Sequence, residues 1–157
     1  MTSTTDRIEK QILLKAPRAR VWRALVDSGE FGDWFKMNVD GPFVEGRGVK
    51  GHLTYPGYEH VTLDLVVERI EPETRFAYRW HPNAVEPGVD YSGERMTLVE
   101  FTLEEKPGGT LLTVVESGFD SIPIERRAKA IKSNEGGWVG QMKAIEAWLA
   151  AHPVASR

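Results

Sequence analysis

Glu116 is the residue whose chemistry most needs an account. It lies in TLVEFTLEEKPGGTLLTVVESGF, where KPGG reads as a hairpin turn that pairs Glu105 with Thr110. That register sets Leu103 against Leu112, Phe101 against Val114 and Val99 against Glu116, all on the apolar side of the strands. A carboxylate aimed at a core must be compensated, because an unpaired buried charge is costly. Three readings stand: the register is slipped by one residue, the strand end is wet, or Glu116 lines a partly polar cavity. In the last case the carboxylate can anchor a ligand, or serve as the candidate catalytic group, a general acid or base. Lys10, on the core parity of the first strand, is its candidate partner. A truly desolvated carboxylate further predicts that Glu116→Leu stabilises the ligand-free protein.

Around this carboxylate the sequence collects large amphipathic side chains of the kind that line apolar pockets with a few placed polar groups. Tyr78 and Trp80 share the core parity of RFAYRW, Phe101 lies on the hairpin, and Trp138 and Met142 share a stripe of the last helix. Trp34 comes from EFGDWF, and Asn134 flanks the helical stripe beside Glu135. With Glu116 these are the candidate ligand-binding residues. Other chemistries lack their motifs. ESGF around Ser117 is not a G-x-S-x-G elbow, and alternation sends Ser117 away from Glu116. The four histidines, His52, His60, His81 and His152, have no H-E-x-x-H spacing, and no glycine-rich phosphate loop occurs, so no metal and no cofactor are expected.

The elements that must position these groups follow from periodicity. RIEKQILLKA reads as a strand with Ile8, Ile12 and Leu14 on one parity, and PRARVWRALVDSG as a short helix burying Val21, Trp22, Leu25 and Val26. Gly32 limits EFGDWF to about a turn, and the glycines and prolines from Val39 to Tyr58 suggest two short bent strands. In VTLDLVVERIEPETRFAYRW a two-residue turn at Pro72 and Glu73 pairs Arg69 with Phe76, Val67 with Tyr78 and Leu65 with Trp80. Val61, Leu63, Leu65 and Val67 then form the core face, with Arg79 and His81 on the other. The loop HPNAVEPGVDYSGE has the length of a lid, with Asp90 or Tyr91 over the pocket mouth.

The last helix begins near SIPIERR, with Ser121 as a candidate cap and Pro123 in its first turn. Ile124, Ile131, Trp138, Met142, Ile145 and Leu149 fall on one stripe at about 100° per residue. Its middle carries Gly136, Gly137 and Gly140, although each glycine costs about 1 kcal/mol in a helix interior. Gly137 lies on a flank where the Phe31–Phe35 segment can approach closely, so Gly137→Leu is expected to overpack. Gly136 and Gly140 point away from the sheet and weaken the helix where it could lift to admit ligand.

Composition bounds the rest. At 157 residues and 41% hydrophobic, the chain reads as one domain over residues 1–157 with a core over about 7–150. The absence of cysteine excludes disulfides, thiolate nucleophiles and cysteine-held metals, and fits a reducing, cytoplasmic setting. A net charge of −3 argues against phosphate-driven nucleic-acid binding. No run approaches about 18 apolar residues, and MTSTTDRIEK lacks the apolar stretch of a signal peptide, so no membrane span is expected.

APRARVWRALVDSGEFGDWF, RFAYRWHP, the hairpin TLVEFTLEEKPGGTLLTVVESGF and NEGGW resemble the bacterial branch of the START-like, or SRPBCC, superfamily named after the activator of the heat-shock-protein-ninety ATPase. The resemblance runs from about Arg7 to Leu149. It implies an α+β helix-grip fold, a curved antiparallel sheet around a long C-terminal helix with two short helices after the first strand. It also implies a cavity under that helix, of the kind that holds lipids, steroids, polyketides or antibiotics in the superfamily. A small apolar ligand is the expected partner, with a homodimer left open. A cofactor-free cyclase or hydrolase using Glu116 is one alternative function. An ATPase-activating partner of the chaperone is another, although the activator's additional N-terminal domain has no counterpart here.

Overall fold

The computed structural model describes residues 6–153. Seven strands form one antiparallel sheet: β1 (Arg7–Leu14), β2 (Met37–Val39), β3 (Gly48–Leu53), β4 (Thr62–Glu71), β5 (Arg75–Trp80), β6 (Thr97–Lys106) and β7 (Gly109–Ser117). Their order is β1-β7-β6-β5-β4-β3-β2, so the first strand closes the β6–β7 side and every other neighbour is consecutive in sequence. Two short helices, α1 (Arg18–Val26) and α2 (Ser28–Phe35), follow β1, and the long α3 (Ile124–Ala151) ends the chain. This is the helix-grip architecture implied by the resemblance.

The hairpin β6–β7 has the register read from KPGG, with Glu105 opposite Thr110, Phe101 opposite Val114 and Val99 opposite Glu116. Alternation places Thr97, Val99, Phe101 and Leu103 with Thr110, Leu112, Val114 and Glu116 on the buried face. The β4–β5 hairpin departs from expectation at its turn. Val67 pairs with Tyr78 as expected, but Arg69 pairs with Ala77 and Ile70 with Phe76, the register shifting between Val67 and Arg69. The loop holds three residues rather than two, Glu73 adopting φ 57° and Thr74 N–H donating to Glu71 O at 3.0 Å. The extra turn residue is absorbed by the bulge, which keeps Val67, Leu65, Leu63, Tyr78 and Trp80 buried.

The helix after Asp27 is longer than EFGDWF alone suggests. The Asp27 carboxylate accepts from Gly29 N at 3.0 Å and Glu30 N at 3.1 Å, and the eight-residue α2 ends at Lys36, φ 67°. Gly32 does not stop it. A Cβ there would stand 2.2 Å from Met37 O, so glycine permits the helix to lie against the start of β2. On α1, Val21, Ala24 and Leu25 are buried, while Trp22 and Val26 are only partly so. Arg20 takes the remaining place: it pairs with Glu30 at 2.8 Å, donates to His152 O at 3.0 Å and lies 4.9 Å from the Trp148 ring. That cluster ties both short helices to the end of α3.

Helix α3 buries Ala130, Trp138, Met142, Ile145 and Leu149. Ile124, expected on this stripe, is 74% exposed. The first turn packs through arginines instead. Arg126 reaches the loop after β5, and Arg127 donates to Asp120 O and Ile122 O at 2.8 and 3.1 Å. Ser121 makes no cap and belongs to a 3-10 turn over Phe119–Ser121, while Pro123 holds the N-cap position through its carbonyl.

Candidate ligand-binding cleft

The buried face of β7 ends at Glu116, which has no exposed surface and accepts four hydrogen bonds. Oε1 receives Trp138 Nε1–H at 2.8 Å and Asn134 Nδ2–H at 2.9 Å. Oε2 receives Trp80 Nε1–H at 2.8 Å and the Thr97 hydroxyl at 2.5 Å. The carboxylate thus joins β5, β6 and β7 to α3, with two donors on each oxygen. The inward register is real, and its compensation is a ring of neutral donors. Lys10 is not among them. It lies 3.6 Å from Glu135 in a partly exposed ion pair, while Ile8 is the residue that faces Glu116 across the β1–β7 ladder. With its acceptor sites filled, the carboxylate is not the uncompensated charge whose replacement by leucine would stabilise the protein. Asn134, on the flank of the helical stripe, points inward and completes this ring.

In front of the ring opens a cleft of about 550 Å³ between α3, the end of α2, β3, and the start of the loop after β5. Trp80 and Trp138 stack at 5.8 Å and 29°, with Phe35 edge-on to them at 5.8 and 6.1 Å. Both indole N–H groups are spent on Glu116, and that of Trp34 on Ala24 O at 2.9 Å, so these rings give the cleft hydrocarbon. Leu53, Leu63, Ala84, Val85 and Ala144 add apolar wall, and the exposed Tyr55 and Tyr58 stand at the rim with their rings 6.2 Å apart. Polar groups are few: Lys36, His81, Asn83, Ser133, Asn134 and Gln141.

Of the residues singled out from sequence, Trp34, Trp80, Asn134 and Trp138 line this cleft. Tyr78, Phe101, Met142 and Glu116 stand behind it as its support, Phe101 edge-on to Trp138 at 5.7 Å and Tyr78 edge-on to Trp80 at 5.2 Å. The Tyr78 hydroxyl is buried without a partner among the described residues, and burial, then the charge of Glu116, holds it well above the ordinary tyrosine value. His81, assigned to the non-core parity, lines the cleft because β5 ends at Trp80; its Nε2 donates to Glu94 O at 3.0 Å. Asp90 and Tyr91 do not cover the mouth. Asp90 accepts from Ser92 N at 2.9 Å, and the Tyr91 ring lies 4.7 Å from the Arg126 guanidinium, while Asn83, Ala84 and Val85 of the same loop form the wall.

The three α3 glycines belong to this cleft as well. A Cβ at Gly136, Gly137 or Gly140 would meet nothing within 4 Å, and all three residues line the opening. The close approach expected at Gly137 is absent, so overpacking is not what a larger residue there would cause. Glycine instead leaves the helix bare where side chains would fill the space. Lys36, Tyr55 and Tyr58 carried no sequence signal for the site, because Lys36 caps α2 and the tyrosines follow β3, where no periodicity assigns a face.

A sequence model of Activator of Hsp90 ATPase homolog 1-like proteins matches residues 15–150. The chain belongs to this family. No curated protein matches the sequence. Among solved structures, protein MLL2253 from Mesorhizobium loti is similar at TM-score 0.74 and 23% identity, covering 94% of this chain and 99% of that one. The Aha1 dimer from Colwellia psychrerythraea aligns at TM-score 0.67 and 16% identity over 89% and 92% of the two chains. DynU16, from the dynemicin biosynthetic locus, aligns at 0.71 and 22%, covering 94% of this chain but 48% of that chain, about half its length. At these identities the likeness establishes the family's shared fold. Among the described residues, no helix is long and apolar enough to cross a membrane, and no cluster of three or more His, Asp or Glu is placed to hold a metal ion.

Proposed function

We propose that this family member is a binding protein for a small aromatic or polycyclic molecule, held in the cleft beneath α3. The observation that carries the reading is the aromatic floor: Trp80 and Trp138 stack, have their N–H groups committed to Glu116, and adjoin an open cleft of about 550 Å³. That volume lies within the roughly 300–1,000 Å³ of small-molecule sites. Four filled acceptor positions and complete burial support a holding role for Glu116 over acid–base chemistry, since such a group must reach the proton it moves.

The test is titration with N-phenyl-1-naphthylamine, read by the probe's emission, by quenching of tryptophan emission and by the melting temperature. Binding to the folded protein raises the melting temperature, the rise growing with the logarithm of the ligand excess over Kd. Gly137→Phe fills the cleft from the bare helix face and abolishes binding while the protein stays folded. Probe affinity unchanged in that variant would refute the cleft as the site.

A further inference from the structure

The cleft's charge distribution narrows its occupant. We propose that the ligand is an amphipathic acid, a flat apolar body carrying one anionic group that pairs with Lys36; this rests on the binding reading above. None of the lining residues is Asp or Glu, although the chain holds 23 acidic residues. Lys36 is the single lysine or arginine among them, and its side chain has no ion pair or hydrogen bond with the described residues.

Its position is held by the backbone rather than by its own charge. Lys36 sits in the left-handed region at φ 67° and ψ 59°, its N–H donating to Gly32 O at 2.9 Å and its carbonyl accepting from Thr54 N at 2.9 Å. That conformation is uncommon for a residue with a Cβ. It fixes, at the junction of α2 and β2 on the cleft's edge, the backbone of a lysine whose ammonium has no partner among the described residues. The other end of the cleft has the opposite sign. The carboxylate of Glu116 lies directly behind Trp80 and Trp138, ringed by four hydrogen-bond donors that are themselves neutral. An anionic group is repelled from that floor and drawn to Lys36, so the apolar body enters first and the acid stays at the exposed rim.

Two probes with the same ring skeleton test this: 8-anilinonaphthalene-1-sulfonate, which carries the anion, and N-phenyl-1-naphthylamine, which does not. At low ionic strength Lys36→Gln is expected to weaken the sulfonate probe about threefold to tenfold and leave the neutral one within about twofold. Lys36→Arg retains sulfonate affinity, Lys36→Glu weakens it further, and salt narrows the difference between wild type and Lys36→Gln. Equal effects on both probes, or none on the sulfonate, with neutral binding still lost in Gly137→Phe, would overturn the acid while sparing the cleft. Insensitivity of both probes to Gly137→Phe would overturn the cleft and the acid together.

Discussion

The indole of Trp138 donates to Glu116 Oε1 at 2.8 Å, fastening the middle of α3 to the end of β7. Each carboxylate oxygen holds one indole N–H and one group able to reverse its role, Asn134 or Thr97. An indole N–H cannot accept. Glutamine therefore sets its amide N–H₂ against an indole N–H in either orientation, and Glu116→Gln is expected to cost about 1 to 3 kcal/mol. Glu116→Leu orphans the whole ring and costs more, about 2 to 5 kcal/mol. Urea unfolding of both variants checks the order, and a stabilised leucine variant would contradict the ring.

Adding a methyl group to the bare helix face separates helix stability from cleft occupancy. Gly140→Ala finds open space at its Cβ, so it is expected to stabilise the protein by up to about 1 kcal/mol through helix propensity alone. Gly137→Leu also finds room. It should raise or preserve the melting temperature while weakening probe binding, and a destabilised, fully binding variant would be the opposite result.

Arg126 is one latch on the wall formed by the loop after β5, beside His60, whose Nε2 donates to Val85 O at 2.8 Å, and Ser133, whose hydroxyl donates to Asn83 Oδ1 at 3.2 Å. Arg126 donates to Glu94 Oε1 at 2.7 Å, to Pro82 O at 3.0 Å and to Asn83 O at 3.2 Å, and covers the Tyr91 ring. Arg126→Gln is expected to cost about 1 to 3 kcal/mol. Hydrogen exchange should accelerate across residues 82–95, and stopped-flow probe entry and release should quicken, because Asn83, Ala84 and Val85 lose one of the contacts that hold their loop. Exchange confined to its wild-type rate would show that the wall is held by other contacts.

Tyr78 gives a pH signature. Its folded-state hydroxyl is held above the unfolded value near 10.0 by burial and then by Glu116. Above that pH the unfolded chain releases a proton that the folded one keeps, so stability is complete below about pH 10 and falls as pH rises further. Tyr78→Phe removes this component of the alkaline loss. Because the hydroxyl has no partner among the described residues, the variant should also be as stable as the parent at neutral pH, or up to about 1 kcal/mol more so. Denaturant melts at pH 7 and at successive steps above pH 10 read both effects.

The residue order already pointed to the β6–β7 register. A turn at KPGG and an unbroken alternation from Val99 to Leu103 point to the observed pairing, which turns Glu116 inward; the alternative of a one-residue slip was closed only by the donors that the fold brings to that carboxylate. The α3 stripe was legible for the same reason over Trp138–Leu149, where several turns report one face. What no local pattern could supply was the partner of that inward charge. Ile8 and Lys10 have the same parity, yet the donors came from Trp80, Thr97, Asn134 and Trp138, four residues brought together only when β5, β6 and α3 close on β7. The β4–β5 bulge was hidden because an inserted residue restores the parity it disturbs. The cleft was decided by tertiary structure as well: the glycines of α3 are conspicuous in sequence, but whether a missing side chain admits a neighbouring helix or leaves a space depends on where α2 and the loop after β5 come to rest.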